Sequence, residues 1–317
     1  MFRNAEYIYA VYKTGSFSAA AKSLYVTQPC LSAMVKKTEQ MLGVPLFDRN
    51  SKPLQLTEYG QRYIAYIEKV WELEHEMEQY LSDVRGLRAG ELSIGTNNVF
   101  ASYVLPPLIR RFNSRYPGVK VQMVEGSISY LEQALIQGSV DLVLDNCPMN
   151  ENHCVQHQLG TELLLAAVPE AVCPEGVKRY LTHQDIRNGL HLAKNAPVLQ
   201  PQAMASVPVI ALRKGNDTRI RMDAICQEAG VAPRLQLEVD QLATAYNIAC
   251  NGLGMTLVSD TLLRSTMAFP EVRYFKLESS LAERPVYLYH KRARYVTRAM
   301  QAFLDTAKAE LSVNNLI

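Results

Sequence analysis

Two clusters in the 317-residue sequence have the residue types and spacing that chemistry needs. In the first, "GSFSAAAKSLYVTQPCL" (15–31), two short helical runs are separated only by Tyr25 and Val26. Ser18 can cap the first run and Thr27 the second, and Pro29 stands in a first turn, where a missing N–H costs little. A helix after so tight a turn, followed by a basic hairpin, is a geometry for reading duplex DNA. Such a helix lays its first turns against major-groove base edges, whose donor and acceptor pattern is distinct for each base pair. Gln28 and Ser32 have the polarity for those edges. Lys36, with Arg49 and Lys52 at the tip of "LFDRNSKPLQLT", would bind phosphates, which position a protein without specifying sequence. The competing reading of the same pattern is a three-helix domain that docks protein.

The second cluster is "DNCPMNENHC" (145–154), where Cys147, His153, Cys154 and the nearby His157 suggest metal or thiol chemistry. A zinc site needs paired short spacings and a second pair, which are missing here. A thiol switch needs two cysteines within bonding reach, one of them with a lowered pKa. A polar loop is the simpler expectation. Cys226 and Cys250 sit in apolar helical patterns and read as core. Cys30, in the first turn of the reading helix, faces either DNA or a neighbouring helix. No Gly-x-Ser-x-Gly, phosphate-binding loop or His-Glu-x-x-His occurs, so no enzyme is expected.

The elements that carry these residues follow from periodicity. Helix one spans about 3–14, with Ala5, Ile8, Tyr9 and Tyr12 on one face and Gly15 as its stop. Helix two spans about 19–24, where three alanines permit close approach of a neighbour. Helix three buries Leu31, Val35 and Leu42 and ends at Gly43. Residues 58–88 form one proline-free run in which Tyr63, Tyr66, Val70, Leu73, Met77, Tyr80, Val84 and Leu87 alternate three and four apart. That is a coiled-coil seam about 45 Å long, more than a 57-residue domain can cover, so a second chain is its expected partner. From Glu91 onward strands and helices alternate, the rhythm of a mostly parallel sheet covered by helices. A second such run begins near Glu162.

Bulk properties set limits. The net charge is +2, with 48% hydrophobic and 20% charged residues, so any nucleic-acid surface is local. The amino terminus is amphipathic rather than a signal peptide, and no run is long and apolar enough for a membrane. The six scattered cysteines then read as reduced thiols in a cytoplasmic protein.

The stretch "GSFSAAAKSLYVTQPCLSAMVKKTEQMLGVPLFDRNSKPLQLTEYG" resembles the amino-terminal domain of LysR-type transcriptional regulators. The match includes the Ser-Phe-Ser-x-Ala-Ala run, Thr-Gln-Pro-x-Leu-Ser, the Leu-Phe-x-Arg wing and Leu-Thr-x-x-Gly. Farther on, "VLPPLIRRFNSRYPGVKVQ", "LIQGSVDLVL" and "ACNGLGMTLVS" resemble the effector domain of that family, in order and spacing. Two departures stand out. Ala33 and Met34 occupy positions where many members carry Arg or Gln, which bears on operator sequence. Ser259 replaces a frequent proline and is expected to be a local loop difference.

The resemblance implies an α/β protein in three parts. These are a mostly α winged helix-turn-helix (1–57), a linker and dimerisation helix (58–88), and a two-lobed effector domain of the type II periplasmic-binding-protein-like fold. Lobe one would comprise 91–161 with 268–303, and lobe two 162–267. It also implies pairing of effector domains into tetramers, a pseudo-palindromic double-stranded DNA operator, and a small molecule in the cleft, with some members sensing oxidants through a cysteine pair. In open α/β sheets ligands lie beyond the carboxyl ends of strands, here "TNNVFAS" (96–102), "GSIS" (126–129) and "RKGNDT" (213–218). Asn97, Asn98, Ser127, Ser129, Asn216 and Thr218 offer neutral donors there, and Lys214 and Arg213 positive charge. Helix amino termini favour anions, so the expected effector is a small carboxylate. Each of these Ser, Thr and Asn residues taken singly is as well explained as a helix cap. The competing class, a solute-binding protein or enzyme on the two-lobed fold alone, should carry an export signal and lack residues 1–88. No metal or cofactor is expected.

Overall fold

The computed structural model of the chain describes residues 2, 4–48, 51, 53–84, 90–174, 176–292 and 294–313. Two compact units emerge, Met1–Glu78 and Gln79–Ile317. In the first, α1 (Ala5–Thr14), α2 (Phe17–Ser23) and α3 (Gln28–Leu42) precede a hairpin of β1 (Phe47–Asp48) and β2 (Gln55–Leu56) and the start of α4 (Glu58–Val84). Ile8, Val11, Ala20, Ala21, Leu31 and Val35 are core residues, closed over by Leu46, Phe47, Ile64 and Ile67. The buried stripe of α1 is Ala5, Ile8 and Val11 rather than one containing Tyr12, which is exposed. That rotation lets the Tyr9 hydroxyl donate to Glu68 at 3.2 Å while its ring meets the edge of Trp71. On α3 the third buried position is Thr38, not Leu42. Its hydroxyl donates to the Met34 carbonyl and accepts from Asn4, so its burial leaves no polar group unmet.

The expected seam on α4 divides. Tyr63 belongs to the core of its own unit, ring to ring with Phe2, because Ile64 and Ile67 turn that part of the helix onto the domain. Beyond it, Val70 is half-buried, and Tyr66, Leu73, Met77, Tyr80 and Leu81 are exposed. The Val84 side chain and Leu87 lie outside the described residues, as do Arg49 and Lys52 of the wing.

In the second unit β3 (Gly90–Thr96), α5 (Asn98–Tyr103), α6 (Leu105–Arg115), β4 (Val119–Glu125), α7 (Ile128–Ile136) and β5 (Leu142–Asp145) build lobe one. β3 lies between β4 and β5, parallel to both. The 16-residue β6 (Cys154–Pro169) then runs out of that lobe. Lobe two holds α8 (His183–Arg187), β7 (Val198–Leu199), α9 (Ala203–Ser206), β8 (Val209–Leu212), α10 (Asp217–Glu228), β9 (Leu235–Val239), α11 (Leu242–Cys250), β10 (Thr256–Ser259), α12 (Asp260–Ser265) and β11 (Val272–Leu277). The chain returns through β12 (Glu283–Lys291) and closes lobe one with α13 (Arg298–Val313). The main sheet has the order β4-β3-β5-β12-β6-β11-β7, with β10 also on β6, while β8 and β9 pair separately.

The sheet is less parallel than the βα rhythm suggests. β6 and β12 are the connections between lobes, so they run antiparallel to each other, and β6 takes β10 and β11 antiparallel at its far end. The return to lobe one also falls later than residue 268. β11 pairs with Leu165–Pro169, and Phe275 and Leu277 pack in a lobe-two core with Met222 and Ile225, so the crossover is β12. Where β6 passes from β12 to β10, the Leu163 amide donates 2.9 Å to Asp260 Oδ1, and that buried carboxylate also meets His191 and Arg264. Ser259, in place of a proline, is more than a loop variant: its hydroxyl accepts from the Leu262 amide and caps α12. Among the described residues no helix is long and apolar enough to cross a membrane.

Two glycines of the sequence motifs owe their place to close approach. A Cβ on Gly254 would stand 2.6 Å from the Pro208 carbonyl oxygen, and one on Gly60 only 2.0 Å from that of Leu46. Gly60 lies in the first turn of α4, whose start is tied to the wing: the Thr57 amide donates to the Leu46 carbonyl, and the Thr57 hydroxyl donates to Pro45 and accepts from the Gly60 amide. Gly60→Ala must move backbone and is expected to destabilise the first unit by about 1–3 kcal/mol. Thermal unfolding of the full chain checks this; an unchanged first transition would show that the contact is slack.

Candidate DNA-reading face and interlobe cleft

The reading face is assembled by the turn between α2 and α3. Ser16, two residues earlier than expected, is the N-cap of α2, its hydroxyl accepting from the Ala19 amide at 3.4 Å. Ser18 is thereby free for another task. Its hydroxyl donates to Gln28 Oε1 at 3.3 Å and holds that side chain at the head of α3. Thr27 occupies the N-cap position of α3 without a side-chain cap bond, and Pro29 sits in the first turn. Thr27, Gln28, Pro29 and Lys36 are exposed and Ser32 is half-buried, opposite the Leu31–Val35–Thr38 face. Tyr25 was legible only as a turn residue. It is 97% exposed and left-handed (φ 55°), a conformation costing a side-chain-bearing residue roughly 1 kcal/mol or more. Its ring projects beside the head of the reading helix, which makes it a further candidate contact.

The second site is a cleft of about 660 Å3 between the lobes. It takes lining from the carboxyl ends of β3, β4 and β5 on one side and from the amino ends of α10 and α11 on the other. Of the expected residues, Asn97, Asn98, Ser127, Asn216 and Thr218 line it; Ser129, Arg213 and Lys214 do not. Ser129 shares a hydrogen bond with Ser127. Arg213 is drawn out to an exposed pair with Asp240 at 3.2 Å. The two readings of the polar residues prove compatible. Asn97, Ser127 and Asn216 cap α5, α7 and α10 and still face the cleft. Asn98 donates to Glu125 at 3.0 Å.

The floor of the cleft was missed. Glu162 on β6 and Arg284 on β12 are register partners on the two crossover strands, and both are fully buried. Arg284 Nη2 pairs with Glu162 Oε1 at 2.5 Å, while Nη1 donates to Thr218 Oγ1 at 3.0 Å and reaches Asp217 at 3.4 Å. Asn146 of lobe one donates to the same Glu162 oxygen. Burial by itself disfavours the guanidinium charge, but Glu162 and Asp217 outweigh it and hold the Arg284 pKa above its usual value. The signal for this pair was present in the sequence: a carboxylate and a guanidinium each stand just before an apolar run, in "TELLLAAVP" and "ERPVYLYHK". Asp145, at the end of β5, was a further strand end that the carboxyl-end rule points to. Burial raises its pKa, partly offset by hydrogen bonds from the Cys147 amide, Asn97 and the Asn146 amide.

Cys147 also lines the cleft. Burial, then the neighbouring Asp145 and Asp217 charges, push its thiol far above the usual range. Burial likewise raises Cys154, which donates to the Asn150 carbonyl. Neither has the lowered pKa that a thiol switch requires. Among the described residues no group of His, Cys, Asp and Glu is arranged to hold a metal ion.

Comparison with known proteins matches two segments of the chain. Residues 2–61 match the family model "Bacterial regulatory helix-turn-helix protein, lysR family", and residues 85–312 match "LysR substrate binding domain". A relative from Bacillus subtilis (strain 168), "Uncharacterized HTH-type transcriptional regulator YcgK", is 30% identical over 96% of this chain and 93% of its own length. A "Probable RuBisCO transcriptional regulator" of Gracilaria tenuistipitata var. liui is 26% identical over 93% of this chain and 91% of its own. Among solved structures, CbnR, a LysR family transcriptional regulator, superposes with a TM-score of 0.65 at 18% identity, covering 98% of each chain.

The buried pair at the cleft floor is testable by its asymmetry. Arg284→Met leaves Glu162 charged and unpaired and is expected to cost about 3–5 kcal/mol. Arg284→Met combined with Glu162→Met removes both charges and should recover a large part of that loss. Urea unfolding of the parent chain, the single variants Arg284→Met and Glu162→Met, and the double variant measures it; a double variant as destabilised as the sum of the singles would show that the two side chains act separately.

Proposed function

We propose that this chain, which belongs to the LysR family of transcriptional regulators, binds a pseudo-palindromic DNA site as a symmetric dimer and is switched by a small effector held in its interlobe cleft. The observation that carries the DNA half is the head of α3: Gln28 is exposed, oriented by Ser18, and followed on the same face by Ser32 and Lys36. Gln28 and Ser32 read base edges, Thr27 and Pro29 set the helix start, and Lys36, with Arg49 and Lys52 of the wing, holds phosphates. Ala33 and Met34 bring apolar contact, suited to thymine methyl groups, where a long polar side chain would otherwise reach. A solved complex of CbnR with its target DNA, at 18% identity to this chain, is in keeping with that reading.

Dimerisation runs through the exposed α4 face of Tyr66, Leu73, Met77 and Tyr80, with Val70 at its edge, because a free chain leaves that apolar stripe in water. Two-fold symmetry then presents two reading helices to two half-sites, and pairing of effector domains makes tetramers. The protein works in the cytoplasm, without a metal or cofactor. Asn97, Asn98, Ser127, Asn216 and Thr218, supplied by both lobes, hold the effector. A ligand that bridges two lobes shifts their arrangement only by binding one arrangement more tightly. A carboxylate on the effector would take the amino end of α10, although Arg213 and Lys214 stand outside the lining.

Gel shift of the full chain on DNA upstream of its own or neighbouring genes should show specific, salt-dependent binding, lost on deletion of residues 1–88. Gln28→Ala should lower specific affinity by about 1–3 kcal/mol and leave non-specific binding nearly intact. Binding that survives the deletion would overturn the assignment of the reading face. Leu73→Asp should convert the dimer to monomer by sedimentation velocity; a persisting dimer would place the interface elsewhere.

A further inference from the structure

The charge in the cleft bears on what the effector must be. Among the described residues five carboxylates line it, Glu125, Asp145, Glu162, Asp217 and Asp240, against one cation, Arg284. Arg284 serves Glu162 and Asp217 together; from outside the lining, Arg221 pairs with Asp217 at 2.8 Å and Arg213 with Asp240. Among the described residues no ion pair reaches Glu125 or Asp145. Glu125 accepts a hydrogen bond from Asn98. Asp145 is only 1% exposed and takes neutral donors alone: Asn97 Nδ2 at 3.2 Å and the amides of Asn146 and Cys147 at 2.8 and 2.9 Å. On the floor nearby, the buried Oε2 of Glu162 has no hydrogen-bond partner among the described residues. A carboxylate shut away from water without a cation is a standing cost, and a ligand that brings the cation removes it.

Resting on the cleft as the effector site, we propose that the effector carries a protonated nitrogen, an ammonium or guanidinium group, seated against Asp145 on the lobe-one wall. A simple dicarboxylate would instead meet Glu125 and Asp145 with like charge. An amine satisfies the lobe-one side of the cleft, and an amino acid both sides. Its cation faces the ends of β4 and β5, and any carboxylate it has faces the amino end of α10. Burial, which holds the Asp145 carboxyl above its usual range, agrees with a site whose counter-charge arrives with the ligand.

The test is thermal shift and calorimetry on the full chain with two probe sets at millimolar concentration. One set is L-lysine, L-arginine, agmatine and putrescine; the other is glutarate, benzoate and succinate. At least one cationic probe should raise the unfolding temperature by mass action. Asp145→Asn, isosteric and uncharged, should weaken that probe about ten-fold or more, as loss of a charge-assisted contact does. Glu125→Gln, at a more exposed position, should weaken it less and serves if Asp145→Asn does not fold. Stabilisation by the carboxylates alone, lost in Thr218→Val, would overturn the cationic effector and leave the cleft reading standing. Cationic binding undiminished in both charge variants would overturn it as well. No shift from any probe would overturn both the cationic effector and the cleft as the effector site, leaving the DNA-reading face to be judged by gel shift.

Discussion

The ion pair between Glu162 and Arg284 is the constraint around which the effector domain is arranged. It sits where the two crossover strands lie side by side, out of reach of water. Two such charges cannot be left alone in a protein interior, so the surroundings must supply partners. They do so from both lobes: Asn146 from the loop after β5, and Thr218 and Asp217 from the first turn of α10. The ion pair therefore ties the start of a lobe-two helix, through Arg284, to a lobe-one loop, through Glu162. The cleft lies above this knot, and its walls are the elements the knot holds.

A second polar hub works by the same logic at the next residue of β6. Strand pairing changes partner at Leu163, and the exposed amide is taken by the buried Asp260 carboxylate, itself held by His191 and Arg264. Both hubs put charge where a sheet would otherwise be wholly apolar. Both stand at points where the chain passes from one lobe to the other. Buried polar groups of this kind define one geometry, because every alternative leaves some of them unmet.

The sequence carried most of the elements and less of the site. The helix–turn–helix was legible because caps, alanines and the Thr-Gln-Pro start are local signals. The strands were legible because each apolar run is bounded by polar turns. What periodicity cannot say is which turn of a helix faces its neighbour: Val11 takes the core place given to Tyr12, and Tyr63 turns inward from the seam. The cleft shows a different gap. Asn97, Ser127 and Asn216 follow from a rule about strand ends, but the charges beneath them arise from residues more than a hundred positions apart. Lys214 and Arg213 were plausible by position and fall outside the lining although Leu212, Gly215 and Asn216 around them belong to it; Arg213 pairs instead with Asp240.

One irregularity in the crossover ribbon stands beside the buried ion pair. The register between β6 and β12 slips between Val286 and Tyr287, so Leu159 stands without a ladder partner. Such a bulge bends a strand pair and increases its local twist. It lies on the lobe-one side of the Glu162–Arg284 knot, only a few residues away. The ribbon thus has a stiff point next to a compliant one, much like a torsion bar clamped beside a notch. A rearrangement of the lobes that kept this ribbon paired would twist it about its axis, and the far end of lobe one would receive a rotation.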